Sequence, residues 1–369
     1  MTTSICSLRA ASPLLLLLAF SQNLAAQDIT AQMDEYMAAQ QEVNHFMGSV
    51  LVARDGKPIY RKGFGLANAE YDVPNAPQTK FRLASNGKMF TSAAILLLQQ
   101  RGLLNVQDPI GKYLEKPPKK WAKVRIHHLL CHSSGIPNFT SFPSYKETWM
   151  VPSKPEETIL RFRNKPLEFA PGEKSSYSNS GYTLLAMIIE RVSGMPFGDF
   201  VEKNIFGPLD MKDTGHDTHA AILKHRATGY TWGENGLEHA PYHDMDLVIG
   251  SGSIYSTVDH LLKWEQALYT DRLLSVESRE AMFTPYGEVA GRAAGYGWGA
   301  GELAGRKVQG HSGRINGFFA QIGRFPEEKV TIIVLSNMWT RSKIARDLAS
   351  ILFGEDYELP KRTGEKVSV

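Results

Sequence analysis

A serine and a lysine three residues apart, in Ser85-Asn86-Gly87-Lys88, head an apolar helical run from Met89 to Gln99. Residues at i and i+3 share one face of a helix, so the Lys88 amine can lie beside the Ser85 hydroxyl while the apolar residues behind anchor both. A serine hydroxyl is a weak nucleophile near neutral pH and needs a neighbour to take its proton. Lysine can do so once burial or nearby positive charge lowers its pKa from about 10.4. The unpaired N–H groups of a helix N-terminus would also face the charge that develops on an attacked carbonyl. Ser85 is therefore the candidate nucleophile of an acyl transfer and Lys88 its candidate base. Taken alone, the tetrapeptide also suits a helix-starting serine followed by a solvated lysine.

Two further motifs decide between these readings. Tyr177-Ser178-Asn179 follows Ala170-Pro171-Gly172-Glu173, and His311-Ser312-Gly313 follows Gly310 just before a strand. Serine acyl-transfer enzymes are marked by S-x-x-K, a Tyr- or Ser-headed triplet ending in Asn, and a K-T-G-like strand triplet, in that order. With all three in order, the chain resembles the family of class C β-lactamases, D-Ala-D-Ala carboxypeptidases and related esterases. The similarity spans essentially all of the chain after its leader, including Gly63-Phe64-Gly65-Leu66-Ala67-Asn68 and Leu129-Leu130-Cys131-His132-Ser133-Ser134-Gly135.

The resemblance implies a role for each matching position. Ser85 would form an acyl-enzyme. Lys88 and Tyr177 would share the base role, Tyr177 as phenolate or as one end of a proton shuttle. Asn179 would orient Lys88 and bind a substrate amide. The backbone N–H groups of Ser85 and Arg314 would form an oxyanion hole next to Ser312 and Gly313. The departure is His311, where β-lactamases of this type resemble one another in having lysine. Lysine there fixes a cation for a substrate carboxylate, whereas histidine near its reference pKa of about 6.5 is mostly neutral at pH 7. Arg314 could restore some positive charge. The resemblance thus implies a hydrolase of small peptides of the D-Ala-D-Ala type or of esters. The alternatives are a true class C-type β-lactamase and a penicillin-binding or sensor protein that is acylated without turnover.

Other chemistries fit the residues less well. His127, His128 and His132 form a dense histidine group, but Leu129 stands where an H-E-x-x-H zinc motif needs glutamate. These histidines are assigned to structure, and neither metal nor organic cofactor is expected. Gly310-His311-Ser312-Gly313-Arg314 fails the hydrolase elbow G-x-S-x-G at its last position. Gly295-Tyr296-Gly297-Trp298-Gly299 lacks the spacing of a nucleotide loop and reads as a glycine-rich strand lining the cleft.

These side chains need a scaffold that brings distant segments together. Gly48 to Arg54 reads as a strand, Asp55-Gly56 as a hairpin turn and Ile59-Tyr60 as the return strand, after a short helix from Ile29 to Gln41. From Ser85 onward helical patterns dominate: Gly102 can end the first helix, Asp108-Pro109 can start another, and Gly181 to Val192 forms a third that stops at Gly194. Phe318 to Phe325 and Val330 to Leu335 form a second hairpin around Pro326-Glu327-Glu328-Lys329, before a helix carrying Ile344, Leu348, Ile351 and Leu352 on one stripe. The expected class is α/β (α+β). N- and C-terminal strands share one antiparallel sheet flanked by helices, a mostly helical lobe is inserted between them, and the cleft lies between the two lobes.

Composition sets the compartment. Residues 1–26 read as a cleavable leader, with Arg9 in the positive region, Leu14 to Phe20 as apolar core and Leu24-Ala25-Ala26 as cleavage site. Residues 27–369 then form a single catalytic domain of two lobes, periplasmic or secreted. The apolar core is too short for a span of about 20 residues, so no stable membrane insertion is expected. Losing Arg9 lowers the formal net charge of +3 by one, which argues against nucleic acid as a partner. Cys131 is then the only cysteine left, so no internal disulfide can form.

Overall fold

The computed structural model describes residues 13–339 and 343–361. Helix α1 (Pro13–Asn44) contains the expected Ile29–Gln41 segment and extends it at both ends. Arg9 lies outside the described residues. Strands β1 (Gly48–Arg54) and β2 (Lys57–Phe64) form the first hairpin. Its turn residues Asp55 and Gly56 have φ of 51° and 72°, the pair of positive values that a two-residue turn needs to follow strand twist.

The inserted lobe is built around α2 (Lys88–Gln100) and α3 (Asn179–Ser193). Every residue of α2 from Lys88 to Leu98 is buried, as befits a helix packed on all sides. Its polar residues accordingly find partners: Thr91 Oγ1 donates to the Gly250 carbonyl (2.6 Å), and Ser92 Oγ meets Tyr182 Oη (3.2 Å). Helix α3 ends at Gly194, whose φ of 68° is the left-handed cap that glycine adopts freely. Asp108-Pro109 does not start an α-helix. Only a single 3-10 turn, Ile110–Lys112, follows, because the Ile110 N–H and Asp108 carbonyl pair with Val124 and Ile126.

The chain then returns to the sheet. Helix α4 (Val258–Ala267) precedes three short strands, β3 (Gly287–Val289), β4 (Arg292–Ala294) and β5 (Gly299–Leu303). The long strands β6 (Arg306–Ile315), β7 (Phe318–Phe325) and β8 (Val330–Ser336) follow, then α5 (Ile344–Phe353). Among the described residues these strands form an antiparallel eight-stranded sheet in the order β3-β4-β5-β6-β7-β8-β1-β2. Strand β8 sits between β7 and β1, with Val334 opposite Val50 and Gln321, which joins the two ends of the chain.

Side-chain alternation divides the core into two layers. Val50, Val52, Ile332 and Val334 pack against Met33 and Met37 of α1 and Leu348 and Ile351 of α5. Leu51, Ala53, Ile333 and Leu335 face the other way, into the core that includes α2 and α3. Burying each such side chain contributes about 1.5–3 kcal/mol, so the sheet is fixed on both faces. Of the Gly295–Gly299 segment, expected as a strand, Gly295 to Trp298 form a bend between β4 and β5 and only Gly299 lies in a strand. Gly297 has φ of 74°, and a Cβ there would stand 2.7 Å from the Lys88 carbonyl, so the chain turns where it meets α2.

Candidate active site

Ser85 lies in a 3-10 turn, Ala84–Gly87, that runs directly into α2. Ala84, just before it, has φ of 46°, a left-handed conformation that costs a non-glycine residue about 1–2 kcal/mol. Strand β6 presses on this turn. A Cβ at Gly313 would stand 2.4 Å from the Leu83 carbonyl oxygen and 2.6 Å from the Ser85 nitrogen, so the strand triplet requires glycine there. β6 pairs with β5 only as far as Gly310. Among the described residues, the edge of β6 facing away from β7 therefore has no strand beside it from His311 to Arg314.

Lys88 is fully buried and donates to Ser85 Oγ (3.0 Å), Asn179 Oδ1 (2.7 Å) and the Ser251 carbonyl (2.7 Å). Burial holds its pKa well below the usual 10.5. Two of its three partners can only accept. A neutral amine would therefore turn both N–H groups to Asn179 and Ser251 and aim its lone pair at Ser85.

Tyr177 Oη donates to the same Ser85 Oγ at 2.7 Å. Burial pushes the phenol pKa up, opposed by the bond to Ser85. A neutral, proton-bearing phenol is the favoured form, which fits the shuttle role better than the phenolate role. Lys88 Nζ lies 4.8 Å from the centre of the Tyr177 ring and 5.3 Å from that of Tyr182, so both aromatic faces ease the presence of its protonated form.

Asn179 is the first residue of α3, and the N-cap position belongs to Ser178. Its Nδ2 donates to Thr140 Oγ1 (2.8 Å), and its backbone N–H to Asn138 Oδ1 (3.0 Å), which fixes Oδ1 on Lys88. His311 is partly buried, its ring centre 6.5 Å from that of Tyr177. Its Nδ1 lies 2.7 Å from the Ser312 carbonyl, an acceptor, so Nδ1 bears the proton and Nε2 keeps a lone pair. Burial, then the Lys88 charge, lower its pKa to about 4 against the Ser312 contact, and Arg292 adds to the lowering. Arg314 is exposed, with its guanidinium over Phe319 (5.9 Å) and Trp339 (5.4 Å).

The sequence left His132 among structural residues, yet its ring centre lies 4.5 Å from that of Tyr177. It leaves the Ile126–Leu130 helix with φ of 60°, and its Nδ1 accepts the Ser178 N–H (3.2 Å). Its position in the recurrent Leu129–Gly135 segment was the available signal. His128 and His132 do not share a helix face, and His127 Nδ1 instead meets Tyr296 Oη at 2.6 Å. Among the described residues no group of three or more His, Cys, Asp or Glu side chains could hold a metal ion. The Ser251 carbonyl, a backbone acceptor, had no signature to find.

Fold and site together bring a buried lysine and a half-buried tyrosine onto one serine hydroxyl, at the start of a helix that the strand triplet of β6 packs against. Residues 33–353 match the Beta-lactamase family model, and the chain belongs to that family. Penicillin-binding protein 4* of Bacillus subtilis (strain 168) is 31% identical over 346 residues, covering 88% of this chain and 76% of its own. The octameric penicillin-binding protein homologue from Pyrococcus abyssi superposes with a TM-score of 0.79 at 31% identity, over 88% of this chain and 78% of that one. D-amino acid amidase from Ochrobactrum anthropi SV3, complexed with D-phenylalanine, gives 0.74 at 25% identity, over 89% and 96%. The chain therefore has the fold of the serine β-lactamases and penicillin-binding proteins, and its membership of the Beta-lactamase family supports a hydrolase.

Proposed function

We propose that this protein is an exported serine hydrolase that works through a Ser85 acyl-enzyme on small peptides of the D-Ala-D-Ala type or on esters. The carrying observation is that one hydroxyl, Ser85 Oγ, is held at 3.0 Å by a buried lysine and at 2.7 Å by a half-buried tyrosine. Neutral Lys88 takes the Ser85 proton as Oγ bonds to the substrate carbonyl carbon. The N–H groups of Ser85 and Arg314 receive the charge that moves onto the carbonyl oxygen. When the C–N or C–O bond breaks, the leaving group takes the proton of Tyr177 Oη, which leaves a phenolate beside the Lys88 ammonium. Water then attacks the ester carbon and gives one proton to the Tyr177 phenolate, while Ser85 takes its proton back from Lys88 as the C–Oγ bond breaks and the acid is released. Every step moves protons and one acyl group, so the residues on hand suffice.

His311, its pKa lowered to about 4, offers no fixed cation to a β-lactam carboxylate at neutral pH, which weakens the case for efficient β-lactam hydrolysis. Export is supported by the leader-like residues 1–26, and no described helix is long and apolar enough to cross a membrane. The test is a panel of a chromogenic cephalosporin, a short-chain nitrophenyl ester and a D-Ala-D-Ala peptide, with intact-mass detection of an adduct on Ser85. Steady release from ester or peptide, with the cephalosporin slow, is the expected result. A burst without release would replace the enzyme with an acylated trap, and no adduct on Ser85 would end the proposal.

A further inference from the structure

Tyr177 differs from Ser85, Lys88, Asn179 and His311 in that no helix or strand carries it. Residues 174–178 belong to neither, and α3 begins only at Asn179. A group that must pass a proton to a departing atom loses on the order of 10²-fold in rate when it is misplaced by about 1 Å. Something other than regular structure has to hold this phenol.

His132 does so through its backbone and its ring together. Its carbonyl accepts the Ser176 N–H at 2.8 Å and its Nδ1 accepts the Ser178 N–H at 3.2 Å, so the chain is tied to one residue on both sides of Tyr177. The His132 ring lies against the Tyr177 ring, and on α3 the Tyr182 ring lies 5.1 Å from it, anchored by its Oη on the Leu130 carbonyl (2.8 Å). The left-handed backbone of His132, φ 60°, is one that histidine adopts more readily than most side chains. Burial, followed by the Lys88 charge, holds its pKa well below 6.5, so Nδ1 keeps its lone pair at neutral pH and Nε2 bears the proton. His132 lines the same cavity as Tyr177, His311 and Ser312. Among the described residues no hydrogen bond joins it to Ser85 or Lys88, so its hold on the site runs through Tyr177.

Resting on the serine-hydrolase reading of this same site, we propose that His132 is a positioning residue for the reaction: its carbonyl, its Nδ1 and its ring clamp Tyr177 so that the phenol proton reaches the leaving group. The clamp then matters most for substrates whose leaving group cannot depart without a proton. A nitrophenolate departs unprotonated, whereas the alkoxide of an alkyl ester must be protonated as the C–O bond breaks.

The test compares kcat/KM for the nitrophenyl and ethyl esters of one short-chain acid in the unmodified enzyme, His132→Ala, His132→Asn, Tyr177→Phe and the double variant His132→Ala/Tyr177→Phe. In His132→Ala the ethyl ester should lose roughly 10- to 100-fold and the nitrophenyl ester no more than about threefold, and the added loss should vanish once the Tyr177 hydroxyl is gone. Asparagine also tolerates the left-handed backbone and brings an acceptor near the place of Nδ1, so His132→Asn should give an ethyl-to-nitrophenyl ratio between those of the unmodified enzyme and His132→Ala. Equal losses on the two esters, or the same loss with and without the Tyr177 hydroxyl, would overturn the clamp and leave the hydrolase standing. Should His132→Ala fail to fold by circular dichroism, His132→Asn carries the decision: a lowered ratio supports the clamp and an unchanged ratio overturns it. No adduct on Ser85 from either ester in the unmodified enzyme overturns the hydrolase reading and the clamp together.

Discussion

In the proposed mechanism the chemistry turns on Lys88, because its burial and its three hydrogen-bond partners act on the protonation state that meets Ser85. Lys88→Ala should slow acylation by about 10²–10⁴, the usual worth of a positioned base, with the circular dichroism spectrum retained. In the unmodified protein kcat/KM should rise with pH along a limb lying well below 10.5, since the buried amine loses its proton early. Near-normal turnover in Lys88→Ala would remove the residue from the mechanism. At the strand end, His311→Lys should restore a cation next to the cleft and lower KM for carboxylate-bearing β-lactams by roughly tenfold, the scale of one charged contact. Unchanged cephalosporin kinetics would count against the place given to His311.

Between elements, the decisive contact is that of β6 with the nucleophile turn. Gly313→Ala would drive a methyl group into the Leu83 carbonyl and the Ser85 nitrogen, both backbone, so neither can move aside without shifting α2 or the strand. The expected outcome is a loss of about 10²–10³ in kcat from a displaced oxyanion hole, together with a lower melting temperature. Wild-type kcat in that variant would mean that the turn and strand do not act as one unit. The two terminal hairpins were legible in the sequence because each carries its own apolar run and turn residues. Strands β3 to β5 were not, because three to five residues of mostly glycine, alanine and charge carry no periodicity. The bend at Gly297 was equally hidden: its cause is the Lys88 carbonyl, more than 200 residues away in sequence.

Across the whole molecule, acid should unfold the protein through its histidines. His128, His243 and His311 each have a pKa lowered from 6.5 to about 4 in the fold, chiefly by burial. The unfolded chain takes up these protons near pH 6.5 and the folded one only near pH 4. Stability is therefore full above about 6.5 and falls as pH drops toward 4, on the order of a few kcal/mol in total. Urea midpoints measured between pH 7.5 and 4.5 should decline steadily, and a midpoint that climbs on acidification would refute the assignment.

The order of the three short motifs, the terminal hairpins and the main helices follow from local rules of spacing, turn chemistry and apolar period, so the sequence by itself determined the family resemblance and singled out Ser85 as the candidate nucleophile. Convergence belongs to the tertiary structure alone. Ser251 and His132 enter the site as a backbone carbonyl and a ring tilted against that of Tyr177. Their roles depend on distances between segments that share no local pattern. Whether Lys88 loses its proton and His311 stays neutral was likewise decided by burial, which arises only when the sheet and the helical lobe close on each other.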